Sequence, residues 1–344
     1  GQGDSTLVKC GDQSMLIDAG DDTKGTLIQN YLKKQGIKKL DYLILTHPDA
    51  DHIGGAPVII TKFDIDKVFV SNYEKDNKTY QKLVQALDNK RLKYSTPKVG
   101  SQYSLGTATI TILAPNDAYD NPNDASTALL IQNGDNKFLF TGDAGEEAEE
   151  DILNNKIDIS ADVYKAGHHG SKYSTSQDFF RAVSPTYAII SCGEGNSYGH
   201  PHAETLNTFR TNGVDVYRTD EDGTIIATSD GEDITFNVPP SESWKAGEPD
   251  VSSATTRQSS QKKETVSDSS QVMEEPKQEP SIEPAVPDPA SSGITYVLNS
   301  NTKKFHNPSC SSVKTIKDKN REDTTKSRDE IIGMGYVPCK KCNP

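Results

Sequence analysis

Six of the seven histidines in this 344-residue chain fall in three short stretches, and that clustering constrains the fold more than any other feature. The stretches are Thr46-His47-Pro48-Asp49-Ala50-Asp51-His52-Ile53-Gly54-Gly55, Gly167-His168-His169-Gly170-Ser171 and Gly199-His200-Pro201-His202. The first follows the apolar run Tyr42 to Leu45, and the second follows Val163-Tyr164. Thr141-Gly142-Asp143 stands at the end of a further strand-like run. Open α/β sheets carry their sites just past the C-terminal ends of strands, so these segments belong to such a sheet and converge on one place. His47, Asp49, Asp51 and His52 offer two imidazoles and two carboxylates from one turn and helix start, enough for two neighbouring metals. Gly54 and Gly55 let the backbone come close. A polar surface loop would account for the first stretch alone, since Asp and His are common in turns, but not for the matching sets downstream.

Around these motifs the chain reads as mixed α and β. Strand-like runs lie at Thr6 to Cys10, Met15 to Ala19, Tyr42 to Thr46, Lys67 to Ser71, Thr107 to Leu113, Thr127 to Gln132, Lys137 to Thr141, Tyr187 to Ser191 and Gly223 to Val238. Helical periodicity marks Gly25 to Lys34, Tyr80 to Lys90, Glu146 to Leu153, Ser176 to Val183 and Ala203 to Thr211. This part, residues 1–238, is one expected domain. From 239 to about 293 the chain holds eight of its 18 prolines and a single aromatic residue, Trp244. Such a stretch buries too little apolar surface to offset its ordering entropy, which predicts a disordered linker. A third module, 294–344, starts with the strand-like Thr295 to Leu298.

Net charge is −13, but residues 294–344 carry ten Lys and Arg against five Asp and Glu. An acidic body with a basic end suits an attachment that binds a polyanion. No run of eighteen apolar residues is present, so no spanning helix is expected within this sequence. The opening Gly-Gln-Gly-Asp reads as a boundary inside a longer chain, which leaves an upstream leader open. A Pro, Ser and Glu-rich linker leans toward an extracellular or cell-surface location, with the cytoplasm still open. Five cysteines are too few and too uneven for a disulfide framework: Cys10 and Cys192 sit in apolar strands as small buried hydrophobes, and three cluster at the end. His306-Asn307-Pro308-Ser309-Cys310 and Cys339-Lys340-Lys341-Cys342 have the ligand count and local spacing of a tetrahedral structural zinc site, which a fifty-residue module needs as a staple. A disulfide or a redox pair among these cysteines is the other reading.

The motifs of the first domain resemble the metallo-β-lactamase fold hydrolases, whose H-x-H-x-D-H signature appears here as H-x-D-x-D-H. With Gly1-Gln2-Gly3-Asp4-Ser5, Asp18 in Leu16-Ile17-Asp18-Ala19-Gly20, and Asn123-Asp124-Ala125-Ser126, they look like the hydrolase domain at the C-terminal end of ComEC, the DNA-uptake channel, over most of residues 1–238. The resemblance implies an αββα sandwich with the metals at one edge between two sheets. It implies His47 and Asp49 on a first metal, Asp51 and His52 on a second, and Asp143 bridging both. His168 is the preferred late histidine ligand, with His200 competing for that role. Asp51 is also counted as catalytic, with His169 and His200, while Asp4, Asp18, Ser126, Ser171 and His202 support the site or touch substrate. His169, Ser171, His200 and His202 would contact phosphate or protonate a leaving group; His169 and Ser171 have the alternative of capping the helix that follows or supporting His168, and His202 that of capping the helix near Ala203. Gln2, Asp4 and Ser5 lie in a turn that the family brings near the metals. Zinc, manganese or a mixed pair all suit these ligands.

The C-terminal module, with Tyr296-Val297, Lys304-Phe305-His306 and Gly335-Tyr336-Val337-Pro338-Cys339, looks like the metal-binding domain of Ada, a DNA-repair methyltransferase. His306 replaces one Cys of that pattern, so the methyl-acceptor chemistry does not carry over; the fold and a liking for DNA do. The expectation is a metal-dependent phosphodiesterase or nuclease acting on DNA through a hydroxide held by two divalent metals (Zn or Mn), with one structural zinc in the tail. A hydrolase of esters, lactones or thioesters on the same fold is the alternative, and a binding protein without activity a third reading.

Overall fold

The structure is a computed structural model that describes residues 2–247, 296–308, 310–326, 331, 334, 336–339 and 342. The chain divides into two compact units, residues 1–265 and 266–344.

In the first unit, β1 (Thr6–Cys10), β2 (Gln13–Ile17), β3 (Lys39–Leu45), β4 (Asp64–Val70) and β5 (Tyr94–Ser95) form a sheet in chain order, a hairpin followed by parallel strands. A second sheet takes β6 (Gln102–Leu105), β7 (Ala108–Ile112), β8 (Leu129–Asn133), β9 (Asn136–Phe140), β10 (Val163–Lys165), β11 (Tyr187–Ile190) and β12 (Asp215–Arg218). It is antiparallel as far as β9 and parallel beyond. The helices are α1 (Gly25–Lys34), α2 (Ala50–Ile53), α3 (Ala56–Lys62), α4 (Lys78–Lys90), α5 (Glu146–Asn154), α6 (Gln177–Val183), α7 (Ala203–Thr211) and α8 (Thr219–Asp222).

The two-residue period of a strand sorts these sheets into layers. Met15, Ile17 and Ile44 point inward and pack on Leu105, Ile110, Ile112, Leu129 and Ile131 of the other sheet. Leu16, Leu43 and Leu45, one step out of phase, meet Leu32 of α1, Ile59 of α3 and Leu83 of α4. On the far side Leu130, Leu139, Tyr164 and Ile190 meet Ile152 of α5, Phe179 of α6 and Phe209 of α7. The layers are therefore helix, sheet, sheet, helix, as expected. Burial on both faces is also why β3 reads as a near-continuous apolar run. All parallel strands end at one edge, so the loops after β2, β3, β9, β10 and β11 meet there.

The domain does not stop at 238. Residues 239–247, expected as the start of the linker, pack on the first unit: Trp244 lies against the outer core, Ser241 N donates to Val216 O, and Gly247 N donates to Pro201 O. Buried Arg218 binds this segment with one guanidinium nitrogen on Lys245 O while two others hold Asp220. A single large aromatic ring and a buried fork of donors outweigh the segment's polar composition. The rest of the expected linker, 248–293, lies outside the described residues. Gly223 to Val238 is a hairpin of two short strands, β13 (Ala227–Ser229) and β14 (Ile234–Phe236), rather than one run.

The second unit is a small sheet ordered β17 (Arg321–Thr324), β15 (Tyr296–Asn299), β16 (Lys304–His306), β18 (Val337–Pro338). Leu298, Phe305, Ile331 and Tyr336 form one patch of core, and Val297, Cys310, Val313 and Cys339 another. Neither patch is large enough to hold such a module without a further staple. Among the described residues no helix is long and apolar enough to cross a membrane.

Candidate metal centre

Asp18 follows β2 and takes a left-handed conformation, φ 57°, that turns its carboxylate back over the end of β3. There Thr46 N and Thr46 Oγ1 both donate to it at 2.8 Å, and its Oδ2 lies 2.8 Å from His52 Nδ1. A carboxylate on Nδ1 fixes that nitrogen as the protonated one, so His52 presents a bare Nε2. That Nε2 is 3.3 Å from Asp143 Oδ1. His169 repeats the device from β10: its Nδ1 donates to Ser191 O at 2.9 Å and lies 3.3 Å from Asp4. Its Nε2 is 3.3 Å from Asp51 Oδ2 and 3.5 Å from Asp143 Oδ2. His47 Nε2 and His168 Nε2 stand 3.8 and 3.7 Å from the same Asp143 oxygen.

Two lone-pair nitrogens aimed at carboxylate oxygens repel unless something positive lies between them. His47 Nε2, His52 Nε2, His169 Nε2 and Asp143 Oδ1 are all buried without a hydrogen-bond partner. Donors bound at about 2.1 Å to one tetrahedral cation stand about 3.4 Å apart, the separation seen here. Nitrogen and carboxylate donors in this mixture suit zinc or manganese, and the residues present fit such a cation. Four sets of ligand atoms converge here: His47 with His52 and Asp143, Asp51 with His52 and His169, Asp4 with Asp18 and His52, and Asp4 with Asp143 and His169. The surrounding carboxylates favour positive charge at these nitrogens. Burial opposes charge on His52 and His169, yet Asp143, with Asp18 for the first and Asp4 for the second, holds both well above the ordinary histidine range, so each Nε2 takes either a proton or, in its place, a metal cation. Burial likewise opposes charge on Asp143, but His169 and His52 keep it well below the carboxylate range. His47, by contrast, is pushed down to about 4 by burial and by His52, which leaves it a neutral donor.

Glycines make the convergence sterically feasible. A Cβ on Gly55 would stand 2.1 Å from Ala19 O, and one on Gly142, at φ 55°, would stand 2.8 Å from Ser126 Oγ. Ser126 itself is buried and accepts from Asp143 N at 3.1 Å, so the Asn123–Ser126 segment braces the bridging candidate; Asp124 does the same for Gly145 N at 2.8 Å. His168 and His169 both have positive φ, 50° and 57°, a tight left-handed turn that sends two neighbouring imidazoles toward one carboxylate.

The pattern described as Metallo-beta-lactamase superfamily matches residues 1–194, more than half of the chain. The chain belongs to the metallo-β-lactamase superfamily. It is 33% identical over 264 residues to ComE operon protein 3 of Bacillus subtilis, covering 70% of this chain and 33% of that protein. Recombination protein 2 of Haemophilus influenzae is 30% identical over 212 residues, 60% of this chain and 25% of that protein. Competence protein ComA of Neisseria gonorrhoeae is 29% identical over 228 residues, 65% of this chain and 30% of that protein. The chain thus spans a quarter to a third of the length of these relatives.

Other expected residues of this metallo-β-lactamase site lie around the converging sets. Asp49 is in none of them; its Oδ1 accepts from Lys75 Nζ at 2.6 Å. His200 is one ring further out, 5.4 Å from His168 and 5.9 Å from His169 between centroids. Gln2 Oε1 accepts from Gly193 N, so its amide nitrogen faces His200 Nδ1 at 3.1 Å, and His200 carries its proton on Nε2. Burial and the neighbouring His169 and His168 depress its pKa to about 3. His202 stands at the start of α7 without a capping bond; its Nδ1 accepts from Lys172 N instead. Ser171 Oγ, buried, accepts from Tyr173 N and steadies the turn. Asp4 is held to α2 by its N–H on Asp51 O. Two residues went unseen in the sequence. Lys165, buried at the end of β10, binds Asp4 Oδ2 at 2.7 Å; a cation closing an apolar strand was the available signal. Lys75 had none.

In the second unit, parallel pairing of β16 with β18 sets Phe305 opposite Pro338, which brings His306 beside Cys339. The ligand atoms of His306, Cys310, Cys339 and Cys342 all lie within 4.8 Å of one another. All four Cys and His side chains fit a tetrahedral zinc: the thiols are free, and His306 Nδ1 is buried without a partner. The neighbouring His306 imidazole lowers the Cys310 thiol to about 6.

Proposed function

We propose that this chain is a metal-dependent phosphodiesterase that cuts DNA, with a pair of divalent cations shared around Asp143 and the C-terminal module as a zinc-stapled DNA-binding attachment. The observation that carries the reading is the Asp143 carboxylate, met within 3.3–3.8 Å by imidazole nitrogens of His47, His52, His168 and His169. Asp51, His52 and His169 would hold one cation and His47 with His168 the second, with Asp143 shared between them; Asp49 would join the second by exchanging Lys75 for the cation. When bound, such a pair lowers the pKa of water and polarises a phosphoryl oxygen. Around it Asp18 and Ser191 hold His52 and His169 in the tautomers that leave Nε2 free, and Asp4 with Lys165 fixes the back of His169. His200, neutral with its proton on Nε2, is a hydrogen-bond donor suited to a phosphate oxygen. The names of the relatives, competence and recombination proteins, support DNA as the polymer and a place at the cell surface. The basic residues of the second unit favour a polyanion over an uncharged ester.

The test is cleavage of single- and double-stranded DNA and of bis(p-nitrophenyl) phosphate after chelation and reloading with Zn²⁺, Mn²⁺ or Mg²⁺. Cleavage should return with zinc or manganese and fall by about 10²–10³-fold in Asp143→Asn, the order of the cost of losing one principal charge-stabilising group. Turnover of lactone or thioester substrates with none of the phosphodiesters would refute the reading.

A further inference from the structure

A series of aromatic rings runs from the candidate metal ligands to solvent. His52 and His169 are 5.4 Å apart between centroids, and His169 and His200 are stacked at 5.9 Å and 28°. Tyr198 then stacks on His200 at 5.6 Å and 17°. Tyr198 is 65% exposed, so its ring contributes little to any core. It is nevertheless held firmly. Asn196 accepts from both Tyr198 N and His200 N, and its amide donates to Gly193 O and His200 O. On the neighbouring loop Tyr173 is 66% exposed, with Lys172 Nζ 5.6 Å from its ring centroid and 3.6 Å from Glu204. Lys172 N on His202 Nδ1 ties that loop to the His200 segment.

We infer that Tyr198, with Tyr173 and Lys172 on the loop tied to its segment through His202, is a stacking platform for an unpaired nucleobase next to the phosphodiester held at the metal centre. This rests on the phosphodiesterase reading and names its substrate class: a single strand in preference to a duplex. An open aromatic face pre-set by backbone hydrogen bonds binds a planar base at small entropic cost. Every base has such a face, so stacking is indifferent to sequence, whereas bases inside a duplex have both faces covered and would first have to unstack. A lone exposed tyrosine is ordinary surface. Tyr198 differs in lying nearly parallel to His200, two rings from His169, on a loop fixed by four bonds to one side chain.

The full-length, metal-loaded chain would be assayed on an oligo-dT strand, a blunt duplex and bis(p-nitrophenyl) phosphate, comparing Tyr198→Ala, Tyr198→Phe and Tyr173→Ala with Tyr94→Ala, an exposed tyrosine on β5. Tyr198→Ala should lower the ratio of kcat/KM for the single strand to that for the small ester by about tenfold, through KM, with Tyr198→Phe near wild type. Photo-crosslinking of an oligonucleotide carrying 5-iodouracil, mapped by peptide mass, should mark Tyr198 or Tyr173; a 5-iodouridine RNA arm reports whether the sugar matters, and a mark there by either polymer supports the platform. An unchanged ratio together with crosslinks only elsewhere would overturn it. If no phosphodiester is cut at all, the catalytic reading fails, and the crosslink still decides whether these rings bind a base.

Discussion

At the scale of single residues, the roles of His168 and His169 show what a sequence can and cannot carry. That a histidine here would reach the centre was legible from its place after a strand. Which one was not, because two consecutive residues in left-handed backbone both swing toward Asp143, and only the partner on Nδ1 separates them. His169 has Ser191 O and Asp4 behind it and faces two carboxylates; His168 meets Asp143 alone among the carboxylates within ion-pairing distance. Lys165 is part of the same arrangement. Its ammonium and the Asp4 carboxylate are both buried, so removing the lysine leaves that carboxylate with His169 as its nearest remaining partner. Lys165→Met should cost about 3 kcal/mol in urea denaturation, and the double variant Lys165→Met/Asp4→Leu should recover a good part of it. Equal losses in the single and double variants would mean that packing, not the carboxylate left without its lysine, sets the cost.

At the scale of elements, long or strongly patterned segments were legible and short ones were not. α1, α4, α5, α6 and α7 lie where the apolar period of 3.6 placed them. The four-residue α2 and the seven-residue α3 have too few turns to show a period, and β6 and β12 are only four residues long. Their existence depends on neighbours: β12 forms because β11 offers it a parallel edge. The α5–α6 corner shows how one buried group joins such pieces. Glu149 of α5 accepts from Thr175 N and Ser176 N, the unsatisfied donors at the start of α6, with Glu146 and the Tyr164 hydroxyl as its charged or titratable neighbours. Burial raises its pKa to about 7 despite those bonds. The folded state therefore keeps a proton that the unfolded chain releases near pH 4.3, and stability falls as pH rises from there through about 7. Glu149→Gln, which leaves one backbone N–H facing an amide NH₂, should be less stable than wild type at pH 5, and the gap should narrow by about 2–3 kcal/mol at pH 8. A gap constant with pH would show that Glu149 is ionised throughout.

At the scale of the whole molecule, the two metal clusters belong to different compact units and differ in donor chemistry, imidazole and carboxylate in the first and mainly thiolate in the second. The second was the most legible part of the chain, because C-x-x-C with H-x-x-x-C needs only a strand pairing to close it, whereas the first depends on five loops at one sheet edge. Because no residue is shared between the two donor sets, each should lose its metal on its own. Asp143→Asn should lose metal from the hydrolase centre and keep the tail's zinc, while Cys339→Ser/Cys342→Ser should lose about one equivalent and keep the rest. The losses measured by elemental analysis should sum to the wild-type content. If the thiolate cluster is the staple of a sheet with only two small apolar patches, removing its metal unfolds that sheet. A strong chelator should therefore open Lys304 in β16 and Arg321 in β17 to trypsin, while Lys67, exposed but held in the middle of β4 by pairing with β3, stays protected if that sheet does not need metal to fold. Cleavage at Lys67 at the same chelator concentration would mean that the hydrolase centre is itself a structural staple, and that the two units differ less in their dependence on metal than their cores suggest.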